Sequence, residues 1–183
     1  MQKKVLTEVD LYSGEIVMPK GFEIDRDQIR NDILESFVKK NRISDNPKQY
    51  SFDDYVVDYS KPLQWMQDYV RDHWKAEYGY TLVFKNMHSN VMHPKEKSWV
   101  RCQADPVDLR NSPDYTLIYG VDVQEGSCEC VIEYDDNRRK NRTWHIPIKN
   151  NNFIMFPATN RYSFSPNTSK GLNMLLTINY EYL

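Results

Sequence analysis

The stretch Phe153-Ile154-Met155-Phe156-Pro157-Ala158-Thr159-Asn160-Arg161-Tyr162-Ser163-Phe164-Ser165-Pro166-Asn167 decides how this chain is read. Phe153–Phe156 is a short apolar and aromatic run suited to a pleated, half-buried surface. Pro157, with no amide to give to a sheet ladder, closes it. Tyr162–Phe164 is a second short run, and Pro166-Asn167 turns the chain again. The next run, Leu172–Tyr182, alternates: Met174, Leu176, Ile178 and Tyr180 share one face, opposite Asn173, Leu175, Thr177 and Asn179.

Upstream, the texture stays that of strands back to residue 80. Tyr80–Phe84, Trp99–Gln103, Tyr115–Val123, Cys128–Tyr134 and Thr143–Ile148 are rich in aromatic and branched residues. Glu125-Gly126-Ser127, Asp135-Asp136-Asn137 and Lys149–Asn152 separate them as turns. Cys128, Cys130, Ile132 and Tyr134 share a strand face, with Glu129 and Glu133 opposite. The first part reads as two helices. Residues 25–40 place Ile29, Ile33, Phe37 and Val38 at helical spacing, with Asp25 or Asp27 as cap. The second has Ser60 as cap, Pro62 early, a Leu63, Met66, Val70 and Trp74 stripe, and Gly79 at its end. Trp65, Tyr69 and His73 lie beside the stripe and read as a widening of the buried face. Eight short strands after two helices predict an α+β, mainly β fold. Its architecture is a double-stranded β-helix, a jelly-roll or cupin-like barrel, with two N-terminal helices packed on one sheet. We expect one domain over 1–183, with a helical part (1–79) and a β-barrel core (80–183).

Composition bounds the function classes. The 24 basic and 26 acidic side chains nearly cancel, so no global field steers the chain to nucleic acid or anionic membrane. No apolar run approaches the roughly 20 residues that span a bilayer, and residues 1–20 lack the apolar stretch of a secretory signal. Three cysteines, Cys102, Cys128 and Cys130, fit free thiols in a reducing compartment. Thirteen tyrosines against six glycines point to aromatic-rich strands and to assembly, because such side chains favour interfaces as well as cores.

The Phe153–Asn167 stretch and the strand from Asn173 resemble the closing segments of small iron(II)/2-oxoglutarate oxygenases of phages and bacteria. Tyr134–Trp144, Asn151–Pro157 and Tyr180-Glu181-Tyr182 resemble a ligand-deficient group from marine tailed phages, cyanophages among them. The resemblance implies the barrel fold, a place in the host cytoplasm during infection or in the virion, and other phage proteins or a second copy as partners. In the family, a histidine five residues after the strand-end proline binds iron, and an arginine opening the last strand grips the co-substrate's far carboxylate. Tyr162 and Asn173 hold those places here. A His-x-Asp or His-x-Glu pair would come before Tyr115–Val123. The window Trp99–Asp105, running on to Asp108, has no histidine, and Arg101 and Gln103 come nearest the ligand positions.

Non-haem iron(II) needs two histidines and a carboxylate on one face. A cation such as Arg101 repels the metal, and a tyrosine phenol is ordinarily protonated at neutral pH. Asn173 cannot make the fork that arginine offers a carboxylate. Arg161 faces away from Tyr162, and Lys170 is near only in sequence. The expectation is therefore a non-catalytic, oxygenase-like barrel with no catalytic residues, no metal and no cofactor, serving as a structural, assembly or binding component. Its degenerate pocket would comprise Arg101, Gln103, Tyr162, Asn173, Thr177 and Asn179. The alternative is an atypical iron(II)/2-oxoglutarate hydroxylase using His88, His93 or Asp105. A sugar- or nucleic-acid-binding jelly roll would rest on architecture and on the basic run Arg138-Arg139-Lys140-Asn141-Arg142, which reads first as a solvated hairpin tip. Cys128 and Cys130 read as core rather than as zinc ligands.

Overall fold

A computed structural model describes residues 9–43, 61–137 and 140–183. In chain order the elements are β1 (Tyr12–Glu15), α1 (Arg26–Ile43), α2 (Lys61–Tyr78), β2 (Leu82–Met92), β3 (Tyr115–Asp122), β4 (Glu129–Asn137), β5 (Lys140–Pro147), β6 (Asn152–Pro157), β7 (Arg161–Phe164) and β8 (Asn173–Tyr182). The strands pair antiparallel in two sheets, one of five in the order β1-β6-β3-β8-β2 and one of three in the order β5-β4-β7. Among the described residues these are two facing sheets, not one closed ring. The non-sequential order is what a jelly roll requires of its strands.

Alternation along β8 explains the layering. Met174, Leu176, Ile178 and Tyr180 join a core with Ile29 and Ile33 of α1 and Leu63, Met66, Val70 and Trp74 of α2. The other face of β8 sends Leu175 into a second core between the sheets, with Ile118, Ile154, Phe156, Tyr162, Phe164, Cys128 and Cys130. Both helices thus cover the five-stranded sheet, as the pattern predicts. Asp25 is the cap of α1: its carboxylate accepts from the Gln28 amide at 2.9 Å. Gly79, at φ 80°, follows α2 in the left-handed region that glycine enters freely. None of the described helices is long and apolar enough to cross a membrane.

Four expectations are corrected. Val38 is 43% exposed, so the buried stripe of α1 runs through Ile29 and Ile33 and on to the partly buried Phe37. The first long strand is β2, and it carries His88 within it instead of ending at Phe84. Trp99–Gln103 is not a strand: Arg101 alone bridges to Tyr162 at the edge of the three-stranded sheet. Asp135–Asn137 belong to β4 rather than to a turn. Ser60, Arg138 and Arg139 lie outside the described residues.

Candidate functional site

The candidate site lies where β7 and β8 face each other across the sheets. On β7, Tyr162 points inward and is 1% exposed, in register with Ile132 of β4. Its backbone exchanges hydrogen bonds with Arg101, at 2.7 and 2.9 Å. That pairing carries the 101–103 segment past Tyr162, and the carboxamide Nε2 of Gln103 donates to the Tyr162 hydroxyl at 2.7 Å. Gln103, not Arg101, thus makes the side-chain contact.

The network continues into β8. Asn179 donates from Nδ2 to Gln103 Oε1 at 3.2 Å and to Asn86 Oδ1 at 2.7 Å. Its Oδ1 accepts from the Thr116 hydroxyl at 2.9 Å. One turn of the alternation away, Asn90 donates to the Thr177 hydroxyl at 2.9 Å. Asn173 lies at the far end of the strand. Its Oδ1 accepts from the Gln124 amide at 3.2 Å, and its Nδ2 donates to Ser127 Oγ at 2.8 Å. Asn173, Thr177 and Asn179 are all buried. The six residues therefore do not line one open pocket. Gln103, Tyr162 and Asn179 form one linked group, Thr177 pairs with Asn90, and Asn173 fastens the turn between β3 and β4. Asn173, Thr177 and Asn179 each find a partner inside the protein, as low-dielectric surroundings demand.

Iron(II) does not fit this group. Tyr162 and Gln103 are a phenol and a carboxamide already bonded to each other, where the metal would need imidazoles. The nearest carboxylate along the chain, Asp105, is exposed, and its Oδ1 accepts from the Val107 amide at 2.8 Å within its own loop. Among the described residues no three His, Cys, Asp or Glu side chains gather to hold a metal. His88 sits on β2 opposite Thr177. His93 lies beyond the strand end, its ring 6.1 Å from that of Phe37 on α1. Five residue steps of extended chain separate the two, about 16 Å, so they do not converge. Arg161 points outward to Glu133 at 3.4 Å, and Lys170 is exposed. Cys128 and Cys130 are free and buried between the sheets. Burial pushes the Cys128 thiol up to about 12 and raises that of Cys130 as well, so neither supplies a ready thiolate.

Against solved structures the chain aligns over most of its length. The carbocyclase SnoK of nogalamycin biosynthesis, a non-haem alpha-ketoglutarate-dependent enzyme, matches with a TM-score of 0.65 at 11% identity, over 93% of this chain and 78% of that one. The fold is that of the 2-oxoglutarate oxygenases. AviO1 from Streptomyces viridochromogenes Tue57 matches with a TM-score of 0.63 at 12% identity, over 93% and 89% of the two chains. A Pseudomonas putida prolyl-4-hydroxylase matches with a TM-score of 0.57 at 9% identity, over 92% and 91%. Identities this low show the oxygenase fold alone. No protein-family model matches the chain, and no curated protein matches it in sequence.

Sequence reasoning named Arg101, Gln103, Tyr162, Asn173, Thr177 and Asn179 but not the hydrogen-bond partners Asn86, Asn90, Thr116 and Ser127. The signal for the first two was present. Asn86 and Asn90 share a parity on β2, opposite Met87 and Val91 of the helix-facing core. It was hidden because β2 reads as ending before them.

Proposed function

We propose that this chain is a non-catalytic protein of oxygenase fold, a structural, assembly or binding component of a tailed phage. The observation that carries the reading is the hydrogen-bonded closure Tyr162–Gln103–Asn179, which ties up with neutral side chains Tyr162 and Gln103, the places that the resemblance gives to metal ligands. Asn173 supports it independently. The residue that would grip a co-substrate carboxylate is spent on the turn at Gln124 and Ser127. The phage assignment draws on the resemblance of Tyr134–Trp144, Asn151–Pro157 and Tyr180–Tyr182, and other phage proteins or a second copy are the partners it implies.

An atypical iron(II)/2-oxoglutarate hydroxylase is the second reading, favoured by the likeness of fold to SnoK and the prolyl-4-hydroxylase. One measurement separates the two. The protein is reconstituted anaerobically with iron(II), and its metal content and 2-oxoglutarate affinity are measured on the same sample. Neither is expected to bind above the level of an unrelated protein. Stoichiometric iron with tight co-substrate binding would overturn it. Mass spectrometry of purified particles tests the structural role, and its absence from them would confine the protein to the infected cell.

A further inference from the structure

Trp65, Asp68, Tyr69, Asp72 and His73 stand at positions i, i+3, i+4, i+7 and i+8 of α2, so they form one stripe along its length. The stripe is not sealed against the rest of the protein. Trp65 and Tyr69 are half-buried and His73 is exposed. Met18, Pro19 and Phe22 face them across a cavity of about 430 Å³. Phe22 and Trp65 meet edge to face, their planes at 85° and centroids 5.7 Å apart. The Tyr69 ring stacks on His73 at 5.5 Å. Asp68 and Asp72 are the carboxylates in this lining, and no Lys or Arg of the described residues lines it with them. Arg71 binds both from outside, at 2.8 Å each, and Lys75 also acts on Asp72. A second cavity of about 480 Å³ adjoins the first through Tyr69 and His73 and runs between α2 and β1, with Glu15 and Glu77 in its lining.

We propose that this groove docks an extended, lysine- or arginine-bearing segment of a partner protein, with a cationic head group seated among Phe22, Trp65 and Tyr69 and beside Asp68 and Asp72. The perpendicular rings of Phe22 and Trp65 suit a cation, and Asp68, Asp72, Glu15 and Glu77, with no Lys or Arg of the described residues in either lining, steer positive charge toward them. The chain itself supplies an instance of the contact: Lys61 holds its ammonium 5.2 Å from the centre of the Trp65 ring. From Trp65 to Tyr78 the helix rises about 20 Å, which an extended segment of about six residues would span. The inference is independent of whether the sheets bind iron.

Calorimetric titration of the full chain with pentalysine, pentaglutamate and choline tests it. Pentalysine is expected to bind saturably and pentaglutamate not at all. The double substitution Asp68→Asn with Asp72→Asn alters one half-buried and one exposed carboxylate without changing their size, and is expected to weaken pentalysine about tenfold. Trp65→Leu should weaken it comparably while leaving the far-ultraviolet spectrum unchanged. Glu129→Gln, on the outer face of the three-stranded sheet, should leave it unaltered. Pentalysine binding that is absent, or equal in the Asp68→Asn/Asp72→Asn protein, would overturn the proposal. Saturable choline binding without pentalysine binding would overturn the peptide occupant.

Discussion

Tyr162 and Asn179 both belong to the polar closure, yet they differ in what their loss exposes. The Tyr162 hydroxyl accepts from Gln103, which is itself only half-buried. In Tyr162→Phe the orphaned carboxamide can turn to water, so the cost is that of one ordinary hydrogen bond, about 1 kcal/mol. Asn179→Leu removes the acceptor of Thr116, a residue with no exposure. Its hydroxyl is then left buried and unpaired, so we expect a loss of about 2 kcal/mol. Urea denaturation of the two variants checks the order, and equal midpoints would contradict it. Asn173→Arg is a sharper case. The side chain it replaces is buried and bonded to Gln124 and Ser127, and no carboxylate stands among those partners. An uncompensated buried guanidinium costs about 3–5 kcal/mol, so restoring the family's arginine should destabilise the protein and confer no 2-oxoglutarate affinity in a direct titration.

Elements with a strong period are legible in the amino-acid sequence alone. The stripe Leu63, Met66, Val70 and Trp74 is buried along α2. Cys128, just before β4, and Cys130 and Ile132 within it alternate inward as their spacing requires. Elements defined by their neighbours are not legible in this way. The β1 strand is Tyr-Ser-Gly-Glu, where only the tyrosine favours a strand, and it exists because it pairs with β6. Trp99–Gln103 has the composition of a strand but meets only the short β7, and a single bridge results. The middle of β2, Asn86–Asn90, looks like a loop because its inward face is polar, and that polarity is the candidate site itself. Placement at β4 also sets thiol chemistry. Cys128 and Cys130 are buried with raised pKa values, while Cys102 is exposed. A thiol reagent should therefore modify one cysteine rapidly in the native protein at pH 8 and all three after denaturation. Rapid modification of three in the native state would show that the second core is not packed as described.

Across the whole molecule, tyrosines tie the layers together. Tyr12 of β1, Trp74 and Tyr78 of α2, Tyr80 before β2, Tyr115 of β3 and Tyr182 of β8 form one run of ring contacts, joined through Trp74 and Tyr80, and the Tyr80 and Tyr115 hydroxyls lie 3.1 Å apart. This accounts for much of the tyrosine-rich composition, and it makes the fold sensitive to alkali. Burial first, and then the nearby Asp10, push the Tyr12 phenol up to about 12 from its ordinary 10.0. Burial likewise raises Tyr78, Tyr115 and Tyr119 and lifts Cys128 to about 12 from 9.0. In each case the folded state holds a proton that the unfolded chain gives up sooner. The stabilisation is therefore complete at neutral pH, begins to fall as the unfolded thiols and phenols ionise near 9 and 10, and is lost as pH rises through the folded values. The urea midpoint should accordingly be lower at pH 10.5 than at pH 7.5. Phenolate absorbance distinguishes this cause from deprotonation of surface lysines. A group of tyrosines should ionise only together with unfolding, whereas a smooth titration of all thirteen in the folded protein would mean that the aromatic ties do not hold the layers.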